Sequence, residues 1–348
     1  MSALSRRRVL FGGAAVGAGA LLTACTSNDP GTGAQVKTNA SGDANAAAGQ
    51  KVTIGFSAPA ADHGWIAAIT NNAKAQAATY SDVEFKSVEA GADAAAQRAA
   101  LATLIAQKPT VIVMLPWDGK ELNAAGLEAM RAGIPVVNLD REFDTPQAYR
   151  TLIKGDNYGM GVSAATYIGD QLKAKNVSNP VIVEIAGIDN LQLTQDRSRG
   201  FKETLAKYGY KVTARQAAQF TVESGQQVAA NLLQAQPKID AMWNHDDDQG
   251  VGVLAAINQA GRSEFFMVGG AGSANAMREI KADKGVLKAT VTYSPSMASS
   301  AISLARLIAQ DKGMSDLVEN QVPASITLAS ETITKDNVDQ YMSLGFES

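Results

Sequence analysis

At 348 residues and 46% hydrophobic content the chain is long enough for two lobes and too apolar for disorder, since single cores stop growing near ~250–300 residues. Two histidines and one cysteine leave almost nothing from which to build a nitrogen- or sulfur-ligated metal centre, and a lone cysteine forms no internal disulfide. The formal net charge of −3 gives no basic footprint for nucleic acid.

The N-terminal stretch "SRRRVLFGGAAVGAGALLTAC" sets Arg6, Arg7 and Arg8 before an apolar run, Val9 to Ala24, that ends in small residues and Cys25. This pattern predicts an export signal over residues 1–24. The run is short and rich in Gly and Ala, so a permanent membrane span is the weaker reading. "LLTAC" resembles the lipobox of bacterial lipoproteins and "SRRRVLF" resembles a twin-arginine export signal, which together imply a lipid on Cys25 after cleavage. The remaining chain keeps 28 basic residues against 34 acidic, a net charge of about −6. Residues 25–50 are small and polar, lack apolar periodicity, and read as a flexible tether.

From Lys51 onward, short β-branched runs alternate with longer Ala- and Leu-containing segments. Strands are predicted at 51–57, 83–90, 110–116, 134–140, 151–156, 181–186, 212–220, 241–246, 265–271, 288–294 and 324–333. In "AAAQRAALATLIAQK", Leu101, Leu104 and Ile105 recur at helical spacing, as a helix covering one face of a sheet requires. Strand–helix alternation predicts parallel sheets flanked by helices, and eleven strands fit two sheets of five or six better than one. Ligands of open α/β sheets bind beyond the carboxyl ends of the strands.

The rare, chemically expressive residues gather there. "SAPAADHGW" holds Asp62, His63 and Trp65; "PWDG" holds Trp117 and Asp118; "LDRE" holds Asp140 and Arg141; "MWNHDDDQG" holds Trp243, His245 and three aspartates. Singly, such an aspartate caps a helix and such a tryptophan is core. Together, flat aromatic faces beside carboxylates and an arginine suit a molecule with apolar C–H faces and a rim of hydroxyls, as sugars and polyols have. Enzymatic motifs are scarce: there is no "GxxxxGK[ST]" or "GxSxG", and "VGGAGSAN" lacks the full dinucleotide spacing. A pair of carboxylates for glycoside cleavage is the best enzymatic rival, because carboxylate separation is not visible in sequence.

From about Lys51 to the C-terminus the chain resembles the periplasmic sugar-binding proteins of bacterial ABC importers, in the ribose, galactose and galactofuranose branch. The matching stretches are "VTIGFSAPAADHGWIAAITNNA", "IPVVNLDRE", "KGDNYGMG", "QDRSRGF" and "NHDDDQGVGVLAAI". The resemblance implies two doubly wound parallel-sheet lobes joined by a three-segment hinge, with crossings near Asp156, Tyr293 to Ser294 and Leu328 to Ala329. The first lobe is then 51–155 plus 294–327, and the second 156–293 plus 328–348. Carried over residue by residue, the ligand contacts are Ser57, His63, Trp65, Ile66, Asp140, Arg141, Arg197, Asp246, Ala271 and Tyr293, and Trp117 offers a further stacking face.

Some positions depart from the ribose-type pattern: Asp246 replaces an asparagine, Ala271 an aspartate, Tyr293 a glutamine, and Trp65 a phenylalanine. These departures point away from ribose and toward a hexose, a pentopyranose or a sugar alcohol. Within "NHDDDQG", Asp246 is expected to face the ligand while Asp247 and Asp248 open the next helix, where acids suit the helix dipole and cap free amides. No cofactor or metal is expected, since the acids do not follow the spacing of a cation loop. The expectation is a non-catalytic, monomeric, lipid-anchored binding protein that delivers its sugar to a membrane permease. Presenting the sugar to a receptor is the alternative within the same family. A repressor-type effector module, which shares the fold, would carry a helix-turn-helix where this chain has its signal.

Overall fold

The computed structural model describes residues 45–348, apart from Val318. The expected export signal, Cys25 and the first part of the expected tether lie outside the described residues. Residues 45–50, inside the segment read as tether, are held in place. Arg306 donates to the carbonyls of Asn45 (2.6 Å) and Ala47 (2.8 Å), and Gln310 donates to that of Gln50 (2.8 Å).

The first sheet consists of β1 (Val52–Ala58), β2 (Val83–Glu89), β3 (Val111–Met114), β4 (Val136–Leu139), β5 (Thr151–Gly155) and β11 (Ser325–Leu328), in the order β11-β5-β4-β3-β1-β2, with every pair parallel. The second consists of β6 (Ile182–Ala186), β7 (Val212–Ala217), β8 (Ala241–Asn244), β9 (Phe266–Ala271), β10 (Leu287–Thr292) and β12 (Thr332–Thr334), in the order β12-β10-β9-β8-β6-β7. Among the described residues only the β12 edge pairing is antiparallel. The predicted run 324–333 is therefore two strands in different sheets, because the chain changes lobe between Leu328 and Thr332.

Helices cover both faces of each sheet, which is why β3, β4 and β8 are buried along their whole length. In the first lobe α1 (Gly64–Ala78) packs with α9 (Met297–Ala309) on one face, and α2 (Ala94–Ala106) with α3 (Gly119–Arg131) on the other. In the second, α4 (Asn157–Ala174) packs with α5 (Gln192–Lys207), and α6 (Val222–Ala235) with α7 (Asp247–Gln259), followed by α8 (Ala274–Ala282). An aspartate commonly ends a strand-to-helix loop and caps the helix. Asp93 accepts from Ala96 N, Asp118 from Lys120 and Glu121 N, Asp156 from Gly159 N and Asp246 from Gln249 N.

The chain passes between lobes after β5, after β10 and after β11, and these crossings are tied to one another. Asp156 N donates to Leu328 O at 2.8 Å, and Thr292 N donates to Glu331 O at 2.8 Å. Among the described residues no helix is long and apolar enough to cross a membrane.

Arg306, on α9, also makes a two-bond pair with Asp82 at the start of β2, at 2.8 and 2.6 Å, with both side chains almost fully buried. The guanidinium holds the Asp82 carboxyl well below its ordinary range. That contribution is complete above the ordinary carboxylate pKa and is lost only in stronger acid. Arg306→Ala is expected to cost about 3 kcal/mol in urea unfolding, because it strands a buried carboxylate and frees residues 45–47. A loss under ~1 kcal/mol would show the pair behaving like an exposed one.

Candidate functional site

The carboxyl ends of the two sheets face each other across a cleft. The first lobe contributes His63 from the loop after β1, Trp65 from the start of α1, and Asp140 with Arg141 from the loop after β4. The second contributes Leu193 and Arg197 from α5, Phe220 beyond β7 and Asp246 beyond β8, and Tyr293 stands at the crossing after β10. Together they line a cavity of about 20 Å³. A polar chamber of about 360 Å³ adjoins it and shares Asp140, Arg141 and Leu193.

Asp140 has φ 66° and is 4% exposed. A non-glycine residue in the left-handed region persists only where its surroundings over-determine it. Here Asp140 N donates to Ile153 O at 2.8 Å, and the carboxylate accepts from the Tyr293 hydroxyl. Burial raises the Asp140 carboxyl, against the pull of Arg141 and the Tyr293 bond. The Tyr293 hydroxyl in turn accepts from Asn157 Nδ2 at 3.1 Å. The Asn157 carbonyl accepts from Arg197 Nε at 2.9 Å, and Arg197 Nη1 donates to His245 O at 3.0 Å. The Arg197 guanidinium lies 4.5 Å from the Tyr293 ring centre and 5.8 Å from that of Phe220. Trp65 closes the other side, its ring 5.7 Å from Tyr293 and its indole N–H donating to Tyr293 O at 2.8 Å.

The site keeps unused donors and acceptors. Arg141 Nη1 donates to Trp117 O, while the buried Arg141 Nε has no partner among the described residues. Asp246 spends one oxygen capping α7 at Gln249 N, 3.0 Å away. Burial first, and the Asp248 charge second, push its carboxyl up to about 6. His63 Nδ1 contacts Asp62 Oδ1 at 2.5 Å. Burial works against a charge on His63, but Asp62, Asp246 and Asp248 outweigh it and its pKa is raised.

The three consecutive aspartates do three different things. Asp246 faces the cavity. Asp247 accepts from the amides of Gly270, Gly272 and Ser273 at 2.8–2.9 Å and contacts Thr290, tying the β9–α8 loop to β10. Asp248 accepts from Gly64 N (3.1 Å) and Trp65 N (2.9 Å) in the opposite lobe. The last two do open α7, yet the amides they hold belong to other elements.

The structure brings His63, Trp65, Asp140, Arg141, Arg197, Asp246 and Tyr293 together. Three other predicted positions stand outside the cavity. Ser57 is fully buried and accepts from Gln97 at 3.2 Å, Ile66 lies in the first lobe's core, and the Trp117 ring packs on the α2–α3 side. Ala271, at φ 91°, reaches Tyr293 through its backbone, its carbonyl accepting from Tyr293 N at 3.1 Å. Trp243 and His245 are core residues: Trp243 packs on Phe201 at 4.6 Å, and His245 Nε2 contacts the buried Glu184 at 3.1 Å. Trp243, on β8, and His245, just beyond it, lie under α5, where Phe201 packs on the indole and Arg197 bonds the His245 carbonyl.

Sequence reasoning missed Phe220, Leu193 and Asn157. Phe220 follows the rule that found Asp140, since it lies just beyond a strand end at φ 64°. It was hidden because the run 212–220 reads as one strand, whereas β7 ends at Ala217. Asn157 stands inside the "KGDNYGMG" stretch, and Leu193 carries no chemical signal.

A family model described as a periplasmic binding protein domain matches residues 54–313. The ribose import binding protein of Bacillus subtilis (strain 168) is 31% identical over 210 residues, which is 60% of this chain and 66% of that protein, just under two thirds of its length. The galactofuranose-binding protein of Escherichia coli (strain K12) is 26% identical over 309 residues, 85% of this chain and 93% of that one. A crystal structure from Mycobacterium smegmatis in complex with β-D-fucofuranose matches with a TM-score of 0.75 at 27% identity, covering 84% of this chain and 94% of that one. With the family model spanning most of the sequence and both lobes, the chain belongs to the periplasmic binding protein domain family.

Proposed function

We propose that this protein is the extracytoplasmic substrate-binding component of an ABC importer, holding a monosaccharide or sugar alcohol between its lobes and presenting it to a permease. The observation that carries this reading is the convergence of Asp140, Arg141, Arg197 and Asp246 on one cavity walled by Trp65, Phe220 and Tyr293. Carboxylates and guanidinium forks read hydroxyls, and the rings cover C–H faces. The names of the relatives, a ribose import protein and a galactofuranose-binding protein, support the same class. The reading is of a binder rather than a catalyst, tethered through a lipid on Cys25 and working as a monomer.

The cavity is small because Tyr293 spans it from Trp65 to Arg197 and reaches Asp140. An entering sugar therefore replaces the Tyr293 hydroxyl on Asp140 or moves the lobes apart.

The test is a thermal-shift screen of the protein against pentoses, hexoses, furanose-forming sugars and polyols, repeated with Asp140→Ala. A ligand that binds only the folded state at ~100 times its Kd adds about 2.7 kcal/mol, enough to raise the melting temperature by several degrees. A shift with one sugar class that vanishes in Asp140→Ala is expected. No shift with any of them, or hydrolysis of an aryl glycoside, would overturn the reading.

A further inference from the structure

α1 begins without a cap of its own. Its N-cap residue, His63, makes no side-chain bond to the first turn, and the first turn carries no acid. The first two helical amides, those of Gly64 and Trp65, donate instead to the two oxygens of Asp248, at 3.1 and 2.9 Å. Asp248 stands on α7, in the other lobe, and is 1% exposed. A carboxylate that accepts two N–H bonds at a helix start also meets the positive end of the helix dipole.

A second observation concerns Gly64 itself. A methyl group there would stand 2.4 Å from Glu347 O and 2.6 Å from Asp248 Oδ1. Glu347 lies in the C-terminal tail, which is fastened to the second lobe: Ala274 N donates to Phe346 O at 2.7 Å, and Asn275 Nδ2 to Ser348 O at 3.1 Å. The start of α1 therefore meets two separate pieces of the second lobe, and the approach leaves room for glycine alone. The backbone of Gly64 is not left-handed, so alanine suits the helix itself and fails only against the opposite lobe.

We infer that Asp248 is the closure latch of this protein: a positioning residue that touches no ligand and caps α1 across the cleft only when the lobes meet. Closing then satisfies two amides that opening leaves to water, which biases the two-state equilibrium toward the closed form. The inference rests on the cleft being a ligand site only insofar as closure sets affinity; the latch itself is made by protein atoms alone.

The experiment compares the full-length protein with Asp248→Ala, Asp248→Asn and Gly64→Ala by hydrogen exchange and small-angle X-ray scattering without ligand. Exchange at the start of α1 is expected to speed up roughly tenfold in Asp248→Ala. Exchange in the sheets should stay unchanged, and the radius of gyration should rise in both alanine variants. Asp248→Asn, which keeps one acceptor, should fall between. For any sugar of the screen that binds the wild type, Kd should weaken roughly tenfold in Asp248→Ala and Gly64→Ala. Unchanged exchange and radius in both alanine variants would overturn the latch, whether or not a sugar binds. Failure of every sugar on the wild type would defeat the ligand reading, with the exchange and scattering still deciding the latch.

Discussion

Arg197→Ala is expected to weaken sugar binding at least a hundredfold while leaving a folded protein. The side chain is 4% exposed and holds two acceptors from different elements, Asn157 Oδ1 at 2.9 Å and His245 O at 3.0 Å. It also lies 4.5 Å from the Tyr293 ring. Truncation removes a charged donor from the cavity wall and leaves Tyr293 and Asn157 without the group that positions them. Losing one member of a buried, hydrogen-bonded charged contact typically costs ~2–5 kcal/mol in binding, and a hundredfold is about 2.7 kcal/mol. The unliganded fold should lose roughly 1–3 kcal/mol, the cost of leaving a buried acceptor unpaired. Arg197→Lys is expected to recover little, since an ammonium cannot bridge Asn157 and His245 with a planar fork while stacking on Tyr293. Calorimetric titration with the sugar found in the screen decides the matter. Wild-type affinity in Arg197→Ala would remove this residue from the ligand's surroundings.

The same residues show how far the sequence can be read. Strand–helix alternation is a local signal, and it located the elements. The search at strand ends found Asp140, Arg141 and Asp246 because each directly follows a strand. It also selected Trp243, on β8, and His245, between β8 and Asp246, which are buried against Phe201 and Glu184. Which residues at a strand end turn into the cleft depends on what packs over them, here Phe201 and Arg197 of α5, a long-range property. Phe220 was lost for the opposite reason, because β7 ends three residues before the apolar pattern does. The division of labour among the three aspartates was half legible. That acids open α7 follows from dipole and capping rules, whereas the partners of Asp247 and Asp248, in the β9–α8 loop and in the other lobe, are set by tertiary packing. The tethering of residues 45–50 by Arg306 and Gln310, more than 250 positions away, had no local signal at all.

Asp246→Asn is expected to stabilise the unliganded protein at neutral pH and to have almost no effect near pH 4. Burial first and the Asp248 charge second hold the Asp246 carboxyl at about 6, whereas in the unfolded chain it titrates near 3.8. Between these values the folded state binds the extra proton, so stability falls as the pH rises through this window. By pH 7 the ionised, buried carboxylate costs on the order of 3 kcal/mol, which asparagine avoids. Asparagine still caps α7 at Gln249 N, so the helix start is kept. Two histidines act in the background and in opposite senses. The pKa of His245 is pushed down to about 4, chiefly by burial, so wild-type stability falls as the pH drops from 6.5 toward 4. That of His63 is raised, so its contribution is fully present below 6.5 and is lost as the pH rises through its folded value. His245 is common to both proteins and drops out of their difference. His63, which faces Asp246, loses part of its upward pull in the variant, and this trims the gain near neutrality. The measurable quantity is the difference in unfolding free energy between Asp246→Asn and wild type at intervals from pH 4 to pH 8. It should rise from near zero to ~2–3 kcal/mol, with most of the change between pH 4 and 6. A difference that stays flat with pH would mean that Asp246 titrates like an exposed carboxylate and that the cleft is not closed around it.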